Sequence, residues 1–164
     1  MAGFGQPVDP TVEATGLRLG IVAARWHADL VDQMVERAVL AAKGCGVTDV
    51  VVVRVAGSVE LPVVAQSLAR RCHAVVALGV VVRGSTAHFD YVCRSVTDGL
   101  TRIALDESTP VAHGVLTVEH LDQARDRAGL PDSAEDKGWS ATVAALEAAV
   151  ALRDLARPVP VPVG

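Results

Sequence analysis

Four largely apolar runs punctuate the chain, at residues 17–24, 50–55, 74–82 and 111–116. A strand with one wet face alternates apolar and polar residues; these runs do not, so they read as parallel strands covered on both faces. Helical patterns separate them, at 28–45, 61–71, 89–105, 118–128 and 137–156. Gly44-Cys45-Gly46 closes the first helix and Gly129-Leu130-Pro131 the fourth, as expected where a chain leaves a helix.

Strand–helix alternation predicts an α/β fold. The class expected is a three-layer sandwich, a four-stranded parallel sheet of the flavodoxin-like kind with helices on both faces and right-handed crossovers. Residues 1–15 carry Gly3, Gly5, Pro7 and Pro10 with little periodicity and read as a flexible arm or a short strand added to a neighbour. Residues 157–164 place Pro at every second position and cannot be helical. Residues 16–156 form the single expected domain, without internal repeats.

Composition narrows this picture. The 164 residues are 51% hydrophobic but only 3% aromatic, so Val, Ala and Leu must build the core. A net charge of −4 with no basic block argues against a nucleic-acid partner. No Lys or Arg precedes Arg18 and no apolar h-region follows, so the start does not read as a signal peptide. The longest uncharged apolar run, 74–82, falls short of the ~20 residues needed to cross a bilayer. Cys45, Cys72 and Cys93 are an odd count without CxxC spacing. They read as buried thiols in a reducing compartment, not as a disulfide frame or zinc site. The expected location is therefore the cytoplasm, with no membrane partner.

In an open parallel sheet ligands bind at the carboxyl ends of the strands, so the segment after each run carries the functional information. After the first comes Arg25-Trp26-His27. Trp26 either packs a loop onto the core or offers a stacking surface to a flat ring. After the second comes Gly57-Ser58-Val59-Glu60-Leu61-Pro62, where Glu60 either caps a helix or accepts bonds from sugar-like hydroxyls. After the third comes Arg83-Gly84-Ser85-Thr86-Ala87-His88. N–H groups of Gly84, Ser85 and Thr86 at a helix start suit a phosphate, or the hydroxyls serve as an ordinary N-cap. His88 is a surface His or a general acid–base. Arg127 and Lys137 lie beyond the fourth run and say little alone. No metal-ligand spacing, GxxxxGK[ST] or GxGxxG accompanies these groups. Together they suggest a cofactor-free, metal-free enzyme acting on a phosphorylated small molecule.

Five segments carry a resemblance over about residues 16–155. They are Trp26-His27; Gly57-Ser-Val-Glu-Leu-Pro62; Gly79-Val-Val-Val-Arg-Gly-Ser-Thr-Ala-His-Phe-Asp-Tyr-Val92; Gly114-Val-Leu-Thr117; and Arg127-Ala-Gly129 with Asp136-Lys-Gly138. In this order and near this spacing they resemble the 6,7-dimethyl-8-ribityllumazine synthases of riboflavin biosynthesis. The resemblance implies condensation of 5-amino-6-(D-ribitylamino)uracil with 3,4-dihydroxy-2-butanone 4-phosphate, giving the lumazine, inorganic phosphate and water.

The resemblance also implies roles. Trp26 would stack on the pyrimidine; Ser58, Val59 and Glu60 would hold the ribityl chain; backbone groups of Val80, Val81 and Val82 would line the ring site. Gly84, Ser85 and Thr86 would take the phosphate and His88 would move protons. Arg127, Lys137 and His113 would come from a neighbouring subunit of a homopentamer. His113 departs from the Phe or Asn often found there, and Arg25 from a small polar residue. Residues 129–137 are longer than in the shortest members, which favours free pentamers over pentamer pairs or 60-subunit shells. The alternatives are a catalytically weak lumazine- or flavin-binding relative, a shell-forming relative, and an FMN-binding flavodoxin-like protein.

Overall fold

The computed structural model describes residues 11–157. Its elements are β1 (Arg18–Ala24), α1 (Ala28–Gly44), β2 (Asp49–Val55), α2 (Leu61–Ala69), β3 (Ala74–Val82), α3 (His88–Asp106), β4 (Val111–Val118), α4 (Leu121–Arg125) and α5 (Lys137–Leu155). A short 3-10 turn, Ser58–Glu60, leads into α2. All four strands are parallel, in the order β2-β1-β3-β4. The expected α/β class is thus the observed one.

Side chains of a strand point alternately to its two faces, and both faces of the inner strands are covered. Leu19, Ile21, Val76 and Leu78 pack with Leu30, Met34 and Leu146 against α1 and α5. Val22, Val75 and Ala77 pack with Leu61, Val96 and Leu100 against α2 and α3. Two apolar layers sandwiching one sheet explain why β1 and β3 read as continuous apolar runs.

The outer strands correct that expectation. Along β2 only Val55 is buried, and Val52 is 43% exposed. A strand with a neighbour on one side alone is only half covered, so the same valine-rich pattern is no guarantee of burial. Along β4 the first three residues, Val111 to His113, are likewise not buried.

The fourth helix expected over 118–128 is also corrected, to the five residues of α4. β4 runs on through Thr117 and Val118, which pair with Val81 and Val82. Beyond Arg125 the chain turns back on itself. An antiparallel bridge joins Ala128 to Asp136, and the Lys137 N–H donates to the Arg127 carbonyl at 2.9 Å. Asp136 then caps α5 by accepting from the Trp139 N–H at 2.9 Å. Gly138 lets α5 lie on α1: a Cβ there would stand 2.3 Å from the Met34 carbonyl oxygen.

Of the expected arm, residues 11–15 lie against the body. Ala14 is fully buried and its N–H donates to the Cys45 carbonyl at 2.9 Å. Residues 1–10 and the proline-rich 158–164 lie outside the described residues. Cys45 and Cys72 are buried free thiols as expected, whereas Cys93 is only half-buried.

Candidate active site

A cavity of about 450 Å³ opens at the carboxyl ends of the inner strands. Each wall is set by how a strand ends. β1 stops at Ala24, and the Arg25 N–H is held by the Val55 carbonyl at 3.0 Å. His27 turns the chain in the left-handed region (φ 54, ψ 50), rare for a residue with a side chain, and its carbonyl accepts from Leu30 and Val31 to open α1. That sharp turn leaves Trp26 70% exposed on the cavity wall. A Trp packing a loop onto the core would be buried; this one presents its ring outward.

The β2 end supplies the opposite wall. The Glu60 carboxylate accepts from the Gly57 N–H at 2.8 Å, so it caps its own turn while lining the cavity. Ser58 is buried beneath, against Gly79 of β3: a Cβ on Gly79 would lie 2.8 Å from the Ser58 Oγ. Glycine at that point of β3 lets the Ser58–Glu60 turn reach the sheet.

The floor and third wall come from β3. Val80, Val81 and Val82 line the cavity, and the chain then leaves the sheet as Arg83-Gly84-Ser85-Thr86-Ala87 before α3 begins at His88. Among the described residues the N–H groups of Gly84, Ser85 and Thr86 take no hydrogen-bond partner. The Thr86 Oγ1 lies 3.4 Å from the His88 N, at the helix start. Free N–H groups at the amino end of a 19-residue helix favour an anion.

Ten of the expected site residues therefore meet in one cavity: Trp26, Ser58, Val59, Glu60, Val80, Val81, Val82, Gly84, Thr86 and His88. Ser85 belongs to the same turn but does not line it. Phe89 and Val92 line it as well, outside the expected set. The signal for Val92 was its spacing, one helical turn beyond His88; Phe89 was legible only as the neighbour of His88.

His113, Arg127 and Lys137 are not in the cavity. They are linked to one another instead: the Lys137 charge acts on His113, and the Lys137 N–H donates to the Arg127 carbonyl. His113 sits within β4 opposite Ala77, its Nε2 2.9 Å from the Thr97 hydroxyl. The residue as a whole is exposed, yet its ring leans inward on Thr97. Desolvation pushes its pKa below the usual histidine value, and the Lys137 charge pushes the same way. Arg127 pairs with Glu135 at 3.7 Å and donates to the Gln123 carbonyl at 2.8 Å.

The family model described as 6,7-dimethyl-8-ribityllumazine synthase matches residues 16–153. The chain belongs to the 6,7-dimethyl-8-ribityllumazine synthase family. Relatives bearing that name come from Salinispora arenicola, 73% identical over 96% of this chain and 94% of the relative. Others come from Thermobifida fusca, 62% identical over 94% and 91%, and Saccharopolyspora erythraea, 60% identical over 94% of each. Membership makes the protein an enzyme, a lumazine-forming transferase of riboflavin biosynthesis. None of the alternative readings is favoured by a comparison. Among the described residues no helix is long and apolar enough to cross a membrane.

Proposed function

We propose that the cavity at the ends of β1, β2 and β3 is where 5-amino-6-(D-ribitylamino)uracil meets 3,4-dihydroxy-2-butanone 4-phosphate. One observation carries this reading: an outward-facing aromatic ring, a carboxylate and an unpartnered N–H turn beside a histidine share a single cavity. Its volume, about 450 Å³, lies within the range of small-molecule sites. Trp26 stacks on the pyrimidine. Ser58, Val59 and Glu60 hold the ribityl hydroxyls, with the Glu60 carboxylate keeping its cap to Gly57. Backbone groups of Val80, Val81 and Val82 fix the ring edge.

The phosphate rests on Gly84, Ser85 and Thr86 at the start of α3. His88, first residue of that helix, moves protons within reach of both substrates. The 5-amino group attacks the ketone and loses water to form an imine. Phosphate leaves, the resulting enol tautomerises to a ketone, and the ribityl-bearing nitrogen attacks that carbonyl and expels a second water, closing the second ring. Every step moves a proton and none changes the net redox state, so no electron carrier is required, and the proposed catalysts are the protein's own groups. A positioned histidine contributes ~10²–10⁴-fold. Holding two reactants together contributes up to ~7–11 kcal/mol of the barrier.

His113, Arg127 and Lys137 complete the site from a neighbouring copy in a free homopentamer, with Arg127 on the phosphate. Support comes from their absence from the cavity of their own chain and from their mutual links, the Lys137 charge acting on His113 and the Lys137 N–H bonded to the Arg127 carbonyl. The exposed Tyr91 and Leu105 of α3 and Val52 of β2 supply apolar surface for such contacts. The proposed location is the cytoplasm, and residues 16–156 carry the catalytic work.

Incubating EDTA-treated protein with both substrates tests this directly. The expected result is equal appearance of lumazine absorbance and inorganic phosphate, undiminished by the chelator. A strict metal requirement, or release of phosphate without lumazine, contradicts it.

A further inference from the structure

The residue that connects the anion turn to the sheet is Arg83, and its side chain does not line the cavity. Its guanidinium is held by three groups at once. Nε donates to Glu119 at 2.7 Å, just beyond the end of β4. The two terminal nitrogens donate to the two oxygens of Asp90, in the first turn of α3, at 3.0 and 3.2 Å. The Phe89 ring lies under the guanidinium, 4.2 Å from its carbon. The two carboxylates hold Arg83 still more firmly charged than usual, with the Asp90 bonds the larger influence.

This arrangement has an electrostatic consequence. Asp90 stands two residues after His88, at the helix end that favours an anion. Glu119 reaches toward the same place from β4. Unpaired, both carboxylates would oppose a dianion on Gly84, Ser85 and Thr86. Paired, they are drawn onto one guanidinium whose fork matches a carboxylate. All three side chains are at least partly exposed, so each pair alone is worth little, but a bidentate pair within a network is the geometry in which surface pairing counts.

Resting on the phosphate site proposed above, we infer that Arg83 is a positioning residue that sets the anion affinity of the neighbouring turn by masking Asp90 and Glu119. It touches neither substrate. Its contribution falls on capture of the phosphorylated substrate, while the His88 proton transfers and the Trp26 stacking surface remain as they are.

Steady-state kinetics of purified variants tests the inference. Arg83→Met should raise KM for the phosphorylated ketone about tenfold, the size expected for two uncovered charges near a helix start. It should leave turnover and pyrimidine affinity within about threefold of the parent, a split that general loss of structure would not give. Arg83→Met combined with Asp90→Asn and Glu119→Gln removes the charges that needed masking and should restore KM. Arg83→Lys keeps the charge but not the fork and should raise KM clearly less than Arg83→Met does; it remains informative should the Met variant fold poorly. An Arg83→Lys KM raised to the Met level, or a triple variant that recovers nothing, overturns the masking role. Arg127→Ala separates this from failure of the site itself. A KM that responds to Arg127→Ala and not to Arg83→Met overturns the Arg83 inference alone, and one that responds to neither overturns the phosphate site with it.

Discussion

Two groups of candidate residues differ in how the fold treats them. Those at the ends of β1, β2 and β3 fall within a few residues of a strand terminus and converge on one cavity. Those associated with β4 do not. His113 lies mid-strand, five positions before β4 ends at Val118, and Arg127 and Lys137 sit on the turn-back beyond α4. Parallel strands deliver their carboxyl ends to one edge, so a residue just past an inner strand is placed by topology alone. His113, inside the edge strand, is turned to Thr97 of α3 and does not line the cavity of its own chain. The contrast divides the proposed active site into a half that one chain builds and a half that it offers to another.

Substitutions in each half sharpen this division. The largest effect expected is in the outer half. Arg127→Ala should raise KM for the phosphorylated substrate on the order of 100-fold, the upper range for a lost hydrogen bond to a charged group. Steady-state kinetics reads it, and an unchanged KM would remove Arg127 from the phosphate site. In the inner half, His88→Ala should lower turnover by about 10–100-fold, within or just below the general acid–base range, and spare pyrimidine binding measured by fluorescence titration. Trp26→Ala should weaken pyrimidine binding by about tenfold, as for loss of one ring stack, without altering KM for the phosphorylated partner. Equal weakening of both substrates would show Trp26 to be a structural prop.

The smallest effect belongs to His113. Its pKa is depressed in the folded state, so on the acid side the unfolded chain binds more protons. Its contribution to stability is therefore full above about pH 6.5 and declines as pH falls through that value toward the folded pKa. His113→Asn should flatten the loss of Tm between neutral and mildly acidic pH. A Tm profile identical to the parent would show that other groups set the acid response.

The layered fold was legible because β1 and β3 are apolar on both faces, a pattern that only a doubly covered strand needs. The exposure of β2 was not legible, because Val50, Val51 and Val52 look the same whether a sheet continues past them or ends. The length of α4 was misread because the residues after Leu116 suit a strand end and a helix start equally, and pairing with Val81 and Val82 decides between them. In the site, Glu60 and His88 were legible from their place after a strand. Arg83 was visible only as the residue at which the apolar run stops. Its links to Asp90 and Glu119, 7 and 36 residues away, arise from tertiary placement.

Mixing His88→Ala and Arg127→Ala subunits tests the divided site most directly. Each variant damages a different half, so random reassembly from denaturant in equal amounts should leave about a quarter of the sites with both residues intact, if neighbours in a closed ring share each site. The account predicts activity recovering toward that fraction of the parent, measured as lumazine formed at low phosphorylated substrate. Activity no higher than the mean of the two separate variants, in mixtures shown to have exchanged subunits, would contradict it.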